Sequence, residues 1–219
     1  GMGTHLYVYD IFQLRMREVK VFDFDGTLTT CDTLLAFIQF ACGTRRFLLG
    51  FLRHSLILVL MKLHLYSNGD AKEKIFAYFF GGMNIERFNE LCAQFAARHR
   101  NIIRTKAIPL ISQALHAGEK VLIITASVEN WVRPFFNIFG EDANTTGGVV
   151  IVGTQIEVEN GTVTGRFLTP NCYGEEKVRR LLEVLPDRNL YHLTAYGDSH
   201  GDHALMEYAD VAHYKPFRE

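Results

Sequence analysis

Apolar residues form several short continuous runs along the chain, and these runs end abruptly at polar residues. Residues 18–25 read EVKVFDFD, residues 121–125 read VLIIT, and a third run covers residues 190–196. Runs of this length that are rich in β-branched and aromatic residues predict strands buried on both faces of a sheet. Residues 149–167 instead alternate about Asn160-Gly161, which predicts a β-hairpin.

Between the first two strands, the apolar positions follow the spacing of three and four residues that is typical of one helix face. Four helices are predicted there, over 32–42, 45–66, 71–80 and from Asn84 onwards. Gly43, Asn68-Gly69 and Gly81-Gly82 predict the ends of the first three. Later helices are predicted over 109–117, 129–139 and 175–185.

Strands that alternate with helices on either side of an all-helical stretch predict an α/β protein with a parallel sheet. The core is predicted to be discontinuous, formed by residues 1–29 and 109–219, with residues 30–108 as an inserted helical domain. Residues 6–12 fit either an extra strand or a terminal helix.

Composition narrows the class of protein. The 219 residues are 48 % apolar and 21 % charged, as in folded globular proteins. Twenty-three basic and 24 acidic residues give a net charge of −1, which argues against a nucleic-acid-binding protein. The four cysteines have no CxxC spacing, and a chain of this size needs no disulfides, so a reducing, cytoplasmic location is expected.

Charge is nevertheless uneven. No acidic residue lies between Thr33 and Gly69, a stretch that contains four basic residues, Arg45, Arg46, Arg53 and Lys62. The predicted helix 45–66 is long enough to span a bilayer, but Arg53 and His54 interrupt its middle. It is expected to be a buried helix of the helical domain, with peripheral membrane contact or contact with a lipid-like substrate as the alternative.

Two pairs of acidic residues follow predicted strands, at the sheet edge where open parallel sheets bind ligands. Asp23 and Asp25 end the first strand, and Asp198 and Asp202 follow the last. Paired carboxylates repel each other unless a cation or substrate organises them, and oxygen ligands from a loop favour Mg²⁺. Taken singly, each pair also fits an Asx turn or a helix N-cap.

Two further positions suggest anion binding. Thr125 ends the strand VLIIT and is followed by the backbone N–H groups of Ala126 and Ser127. Lys177 lies in the first turn of helix 175–185, where a cation opposes the helix dipole unless it serves an anion. Taken alone, Thr125 is better explained as a residue that terminates a strand, and Lys177 is weak evidence because surface lysines are common.

Together these residues make a specific pattern. A DxDGT motif at residues 23–27, Thr125, Lys177 and a GDSxxD motif at residues 197–202 resemble the haloacid dehalogenase-like phosphatase superfamily. The helical insertion after DFDGTLT, the ITAS stretch and CYGEEKV resemble the subfamily IB of phosphoserine phosphatase and its relatives. The resemblance implies a Rossmann-like parallel sheet with an inserted helical cap and a Mg²⁺-dependent phosphomonoester hydrolase.

It also implies roles for individual residues. Asp23 would be the nucleophile that forms an aspartyl-phosphate, and Asp25 would protonate the leaving alcohol and later take a proton from water. Asp23, the backbone carbonyl of Asp25 and Asp198 would hold Mg²⁺, while Asp202 would support the metal shell or orient Lys177. The phosphoryl group would be held by Thr125, Lys177 and the backbone around Gly26 and Ala126.

The substrate stays open at this level. Asp32 lies nine positions after Asp23, where phosphoserine phosphatases carry Glu, so Asp32 is a candidate selectivity residue. Lys74, with Lys72 as an alternative, is expected to reach the same pocket. An unspecified phosphomonoester, phosphoserine or a similar small metabolite, and a lipid phosphate such as phosphatidylglycerophosphate are the candidate substrates.

Two activities of other kinds remain as alternatives. A phosphotransferase that moves phosphate to an alcohol shares every motif. A non-catalytic membrane-associated adaptor would use helix 45–66 alone. The sequence makes no prediction about the oligomeric state.

Overall fold

The computed structural model describes residues 16–140 and 148–218, so the prediction for residues 6–12 lies outside the described residues. The strands are β1 Arg17–Phe22, β2 Lys120–Val128, β3 Val149–Thr154, β4 Ile156–Glu159, β5 Thr162–Phe167, β6 Tyr191–Gly197 and β7 Val211–Tyr214. Five of them form one sheet in the order β3-β2-β1-β6-β7, and every neighbouring pair is parallel. The predicted parallel α/β sheet is confirmed.

The helices are α1 Thr33–Cys42, α2 Thr44–Arg53, α3 Ser55–Lys62, α4 Asn68–Phe80, α5 Ile85–Arg98, α6 Ala107–His116, α7 Glu129–Val132, α8 Glu175–Val184 and α9 His203–Tyr208. Short 3₁₀ turns cover Arg100–Ile102, Arg133–Phe139, Arg188–Leu190 and His200–Asp202. Helices α1 to α5 all lie between β1 and β2 in the chain, as the helical periodicity of that stretch predicts.

Both faces of the central sheet are covered, which explains why its strands are continuously apolar. Successive residues of β2 point to opposite faces. Val121 and Ile123 belong to one hydrophobic cluster, and Leu122 and Ile124 belong to the other. The first of these clusters continues into the helical segment through stacked and edge-on aromatic rings, for example those of Phe37 and Trp131.

The chain leaves the sheet for the helical segment and returns to it at one place. Thr30 N donates to Ile102 O (2.9 Å), and Arg104 N donates to Leu28 O (2.8 Å). The hairpin of β4 and β5 lies against the same segment, since Val163 N donates to Met83 O (2.8 Å). The division into a core of residues 1–29 and 109–219 and a cap of residues 30–108 stays a prediction.

The prediction of a single helix over 45–66 is wrong. The structure has two helices there. The predicted helix is broken at His54 (φ −97°, ψ 11°) into α2 and α3, and the His54 ring nitrogen Nδ1 lies 2.8 Å from Gly50 O, so this side chain competes for a helical carbonyl. Asn68-Gly69 does not end a helix but begins α4, because the Ser67 side chain accepts a hydrogen bond from Asp70 N and caps it.

Two more predictions need correction. Residues 149–154 form β3 of the main sheet, and only β4 and β5 form the hairpin about Asn160 and Gly161, whose φ angles of 49° and 75° suit a tight turn. The helix predicted over 129–139 is α7 followed by a 3₁₀ turn with Pro134 near its start. Across the described ranges, no helix has the length and apolarity that crossing a bilayer requires.

Candidate active site

Asp23 lies directly after β1, at the carboxyl end of the sheet, and is 7 % exposed. Its backbone N–H donates to Tyr196 O (2.9 Å), which extends the pairing of β1 with β6 by one residue. One side-chain oxygen, Oδ1, accepts from Lys177 Nζ (2.7 Å), and the other, Oδ2, accepts from the Thr27 hydroxyl (3.1 Å). The carboxylate is therefore nearly buried and is held on both sides.

The contacts of Lys177 explain why a lysine occupies the first turn of α8. Lys177 is 3 % exposed, and its ammonium also donates to Asp202 Oδ1 (2.6 Å) and Ile124 O (3.1 Å). Burial alone would lower the pKa of Lys177, but the carboxylates of Asp23 and Asp202 outweigh burial and raise it, so the side chain stays charged. The sequence predicted an anionic partner, and the structure supplies two.

The electrostatics of Asp23 favour a further cation. Burial raises the pKa of Asp23 above its usual range, Lys177 lowers it by a smaller amount, and the negative charge of Asp202 raises it further. Two buried carboxylates thus share one lysine, which leaves excess negative charge in the crevice. A divalent cation next to Asp23 would favour its ionised form.

Asp25 is half-buried, and hydroxyls hold its carboxylate in place. Oδ1 accepts from Thr33 N (2.8 Å) and from the Thr33 hydroxyl, and Oδ2 accepts from the Ser127 hydroxyl. Trp131 Nε1 donates to Thr33 Oγ1 (3.0 Å) and fixes that hydroxyl in turn. The sequence analysis missed the contacts that these three side chains make with Asp25 or with each other, and it named only the backbone N–H of Ser127, in the ITAS stretch.

The loop after β6 places the second pair of acids. Asp202 Oδ2 accepts from Asp198 N (3.0 Å) and Ser199 N (3.1 Å), so Asp202 orders the loop that presents Asp198. Asp198 accepts from the Thr27 hydroxyl (3.2 Å) through Oδ1 and pairs with Arg218 (3.3 Å) through Oδ2. Asp202 thus contacts Lys177 and also supports the Asp198 loop, and the sequence had offered these two roles as alternatives.

The donor set fits a hard divalent cation. Asp23, Asp198 and Asp202 each offer a carboxylate oxygen, and these oxygens lie within 4.8 Å of one another. Lys177 and two backbone N–H groups hold the oxygens of Asp202, whereas Asp23 Oδ2 and Asp198 Oδ1 face each other and share only the Thr27 hydroxyl. Asp23 and Asp198 are therefore the better direct ligands.

Gly26 makes room for this arrangement. A Cβ at this position would lie 2.2 Å from Asp198 Oδ2, and its φ of +81° disfavours side chains in any case. Its N–H donates to the Thr29 hydroxyl (3.1 Å), and its carbonyl accepts from Arg104 (3.2 Å). The Gly26 N–H thus already has a partner within the chain. Its contact with a phosphate stays a prediction.

A cavity of about 220 Å³ opens over these acids. Its charged and polar lining residues are Asp23, Asp25, Asp32, Asn68, Lys72, Ser127, Lys177, Asp198, Ser199 and Asp202. Apolar and aromatic groups complete the wall, namely Leu34, Ala126, Val128, Trp131, Phe167, Cys172, Tyr173 and Gly201. The structure therefore brings Asp23, Asp25, Lys177, Asp198 and Asp202 to one crevice.

Three expected site residues have other positions or additional roles. Thr125 is fully buried, does not line the cavity, and accepts from Ser127 N (3.0 Å); its contact with phosphate stays a prediction. Lys74 is exposed, does not line the cavity and lies over the Tyr66 ring (5.3 Å), whereas Lys72 of the same helix does line it. Asp32 lines the cavity and also caps α1 by accepting from Leu35 N (3.2 Å).

Solved structures share this fold. A protein of unknown function from Bordetella pertussis Tohama I superposes with a TM-score of 0.73 at 20 % identity, covering 90 % of this chain and 89 % of that one. A substrate-bound phosphoserine phosphatase superposes with a TM-score of 0.58 at 13 % identity, covering 91 % and 86 % of the two chains. At these identities the likeness concerns the fold.

Sequence comparisons identify the family. Protein CicA of Caulobacter vibrioides is 32 % identical over 200 residues, which make up 90 % of this chain and 85 % of CicA. The family model of haloacid dehalogenase-like hydrolases matches residues 21–207, a range that contains every acidic residue of the crevice and Lys177. The resemblance inferred from the motifs is confirmed, and the chain belongs to the haloacid dehalogenase-like hydrolase family.

Proposed function

We propose that the protein is a Mg²⁺-dependent phosphomonoester hydrolase that works through an aspartyl-phosphate on Asp23. The observation that carries the proposal is the arrangement of Asp23, Asp25, Lys177 and Asp198 around one cavity. Each group has a distinct partner set, so the site offers a nucleophile, a proton carrier, a fixed cation and a metal ligand at once.

The nucleophile is an oxygen of Asp23. The Lys177 ammonium holds Oδ1, which aims the carboxylate and offsets the repulsion between it and an anionic phosphate. Attack forms a bond between an Asp23 oxygen and phosphorus, and the bond from phosphorus to the alcohol oxygen breaks. Mg²⁺, held by Asp23, Asp198 and the backbone carbonyl of Asp25, would neutralise charge on the transferring phosphoryl group.

Asp25 carries the proton in both halves of the reaction. It protonates the departing alcohol oxygen, and afterwards it accepts a proton from the water that attacks the aspartyl-phosphate and releases inorganic phosphate. Hydrogen bonds from Thr33 and Ser127 hold its carboxyl group at the wall of the cavity, which supports this role. A fixed proton carrier two residues from the nucleophile favours hydrolysis over a long-lived phosphoenzyme.

The cavity favours a small phosphorylated compound or the phosphorylated head of a larger one. Its volume of about 220 Å³ is below the roughly 300–1,000 Å³ typical of pockets for drug-sized ligands. Beyond the acids, its wall carries Lys72 and Asp32 together with the rings of Trp131, Phe167 and Tyr173. Phosphoserine, histidinol phosphate and phosphatidylglycerophosphate, tested side by side, would separate these substrate classes.

The central test replaces the nucleophile. We expect Asp23→Asn to lower Mg²⁺-dependent hydrolysis of p-nitrophenyl phosphate by more than about 10³-fold, because an amide oxygen cannot form the intermediate. Asp187→Asn is the matched control, since Asp187 is exposed and only caps a 3₁₀ turn. Full activity of Asp23→Asn would refute the proposal.

A further inference from the structure

The outer face of α2 and α3 carries large apolar side chains that lie open to solvent. This face comprises Leu48, Leu49, Leu52, Leu56, Val59 and Leu63, which are between 54 % and 71 % exposed. Single exposed leucines are ordinary on protein surfaces, but a contiguous group along two successive helices marks an interaction surface.

Core packing does not account for this face, because α2 packs through its other side. The rings of Phe47 and Phe51 contact each other at a tilt (4.6 Å between centroids), and the Phe51 ring lies 6.2 Å from that of Phe79 of α4. Gly50 meets the same phenylalanine so closely that a Cβ there would lie 2.2 Å from Phe79 Cζ. Helix α2 is therefore apolar on two sides, and among residues 16–140 and 148–218 only its inner side is packed.

The charged residues of α2 and α3 all have one sign. Arg45, Arg53 and Lys62 are exposed on the same two helices, and no carboxylate of the described residues pairs with them. Because the whole stretch from Thr33 to Gly69 lacks acidic residues, nothing on these helices offsets that charge.

We propose that the outer face docks the protein onto an anionic lipid bilayer. The leucines would enter the boundary between headgroups and acyl chains, while Arg45, Arg53 and Lys62 would meet the anionic headgroups. A symmetric contact between two copies of this face would bring the basic residues of both copies together without acidic partners, which disfavours a dimer.

The outer face is also close to the cavity along the chain. Only residues 63–67 separate α3 from α4, and the first residues of α4 include Asn68 and Lys72, which line the cavity. The docking proposal nevertheless does not depend on the proposed phosphatase activity, since lipid binding is measured without any substrate.

The test is co-flotation of the purified full chain with vesicles. We expect binding to phosphatidylcholine vesicles that contain about 30 % phosphatidylglycerol, and much weaker binding to pure phosphatidylcholine or in about 0.5 M salt. The triple variant Leu49→Ser/Leu52→Ser/Leu56→Ser should lose at least about tenfold in the partition coefficient. The variant Arg45→Gln/Arg53→Gln/Lys62→Gln should lose its preference for anionic vesicles.

Leu168→Ser/Leu190→Ser is the matched control, because these leucines are 60 % and 66 % exposed but lie outside the outer face. It should bind vesicles like the unmodified chain. Circular dichroism and hydrolysis of p-nitrophenyl phosphate would show that all variants are folded. Equal vesicle binding by the triple leucine variant, or no binding by the unmodified chain, would overturn the proposal. So would a dimer in analytical ultracentrifugation that the same variant converts to a monomer.

Discussion

At the scale of single residues, the site depends on side chains that hold other side chains. Lys177 lies between Asp23 and Asp202, and Thr27 bridges Asp23 and Asp198 through one hydroxyl. Because these groups are buried, each unpaired charge or hydroxyl would cost more than it does at the surface. Substitutions here are therefore expected to change the chemistry and the stability together, and matched controls are needed to separate the two.

A substitution at Gly26 can separate an effect on the site from an effect on stability. We expect Gly26→Ala to weaken Mg²⁺ binding by at least about tenfold, since a methyl group 2.2 Å from Asp198 Oδ2 must displace that carboxylate. Isothermal titration calorimetry would measure the affinity. Gly82→Ala is the control, because its φ of +85° gives the same backbone strain with nothing within 4 Å of the new Cβ. Equal Mg²⁺ affinity in the two variants would show that Asp198 is not a ligand.

The hydrogen bonds of Asp210 lead to a prediction of how the free energy of unfolding depends on pH. The hydrogen bond from Leu193 N (2.8 Å), followed by that from Arg188 (2.7 Å), lowers the pKa of Asp210 below its usual value. A carboxyl group with a lower pKa in the folded state stabilises the fold above the unfolded-state pKa, near 3.9, and loses this contribution as the pH falls through the folded-state pKa. The carboxylate should therefore matter at neutral pH and cease to matter in acid.

The check is urea unfolding of Asp210→Asn and of the unmodified chain from pH 7 down to about pH 3. We expect the variant to be less stable at pH 7 and the difference to shrink below about pH 4. Asp187→Asn serves again as the control, with a small difference at every pH. A difference for Asp210→Asn that stays constant down to pH 3 would contradict the assignment.

At the scale of the elements, the site is assembled from strand ends on one side and helix ends on the other. β1, β2 and β6 end next to one another and supply Asp23, the 126–128 segment and the Asp198 loop. The first residues of α4 bring Asn68 and Lys72 to the opposite wall. Because α4 begins at the cavity, its N-cap affects both the helix and the substrate pocket.

Ser67→Ala tests that connection. Loss of the Ser67 cap of α4 should destabilise the protein by about 1 kcal/mol and loosen Asn68 and Lys72, so KM should rise with little change in kcat. Urea unfolding and steady-state kinetics would measure the two effects. Ser55→Ala is the control, because Ser55 is exposed at the start of α3, a helix without a side-chain cap. A KM unchanged by Ser67→Ala would show that the start of α4 does not contribute to substrate binding.

At the scale of the whole molecule, the crevice joins parts of the chain that are far apart in sequence. Asp23 and Lys177 are 154 positions apart, and Thr27 and Asp198 are 171 apart. A cation bound between Asp23 and Asp198 would bind the folded chain and not the unfolded one, because the unfolded chain does not bring these carboxylates together. Mg²⁺ binding at this place would therefore be coupled to folding.

This coupling predicts thermal stabilisation by Mg²⁺. At a concentration of about 100 times its Kd, Mg²⁺ should add about 2.7 kcal/mol to the free energy of unfolding and raise Tm accordingly. Differential scanning calorimetry with and without MgCl₂ would measure it. Asp198→Asn should abolish the increase, and Asp187→Asn should retain it. If Asp198→Asn responded to Mg²⁺ like the unmodified chain, the metal site would have to lie elsewhere.

The sequence by itself determined the features that depend on local chemistry. Continuous apolar runs predicted three of the five strands of the sheet, and Asn84 was correctly predicted as the cap of α5. The motif residues Asp23, Asp25 and Asp198 follow β1 and β6, and their place at the carboxyl end of a parallel sheet follows from strand direction alone. Local patterns suffice there because parallel strands place their carboxyl ends at one edge.

Only the tertiary structure decided which side chains meet. It selected Lys72 over Lys74, it placed Thr33, Ser127 and Trp131 around Asp25, and it put residues 149–154 in the central sheet. It also broke the helix predicted over 45–66 at His54. The first three could not be predicted from the sequence, because they depend on packing between different segments of the chain, which neither periodicity nor end signals describe. The break at His54 accompanies a local contact of its ring with Gly50 O, which the apolar periodicity of the stretch does not describe either.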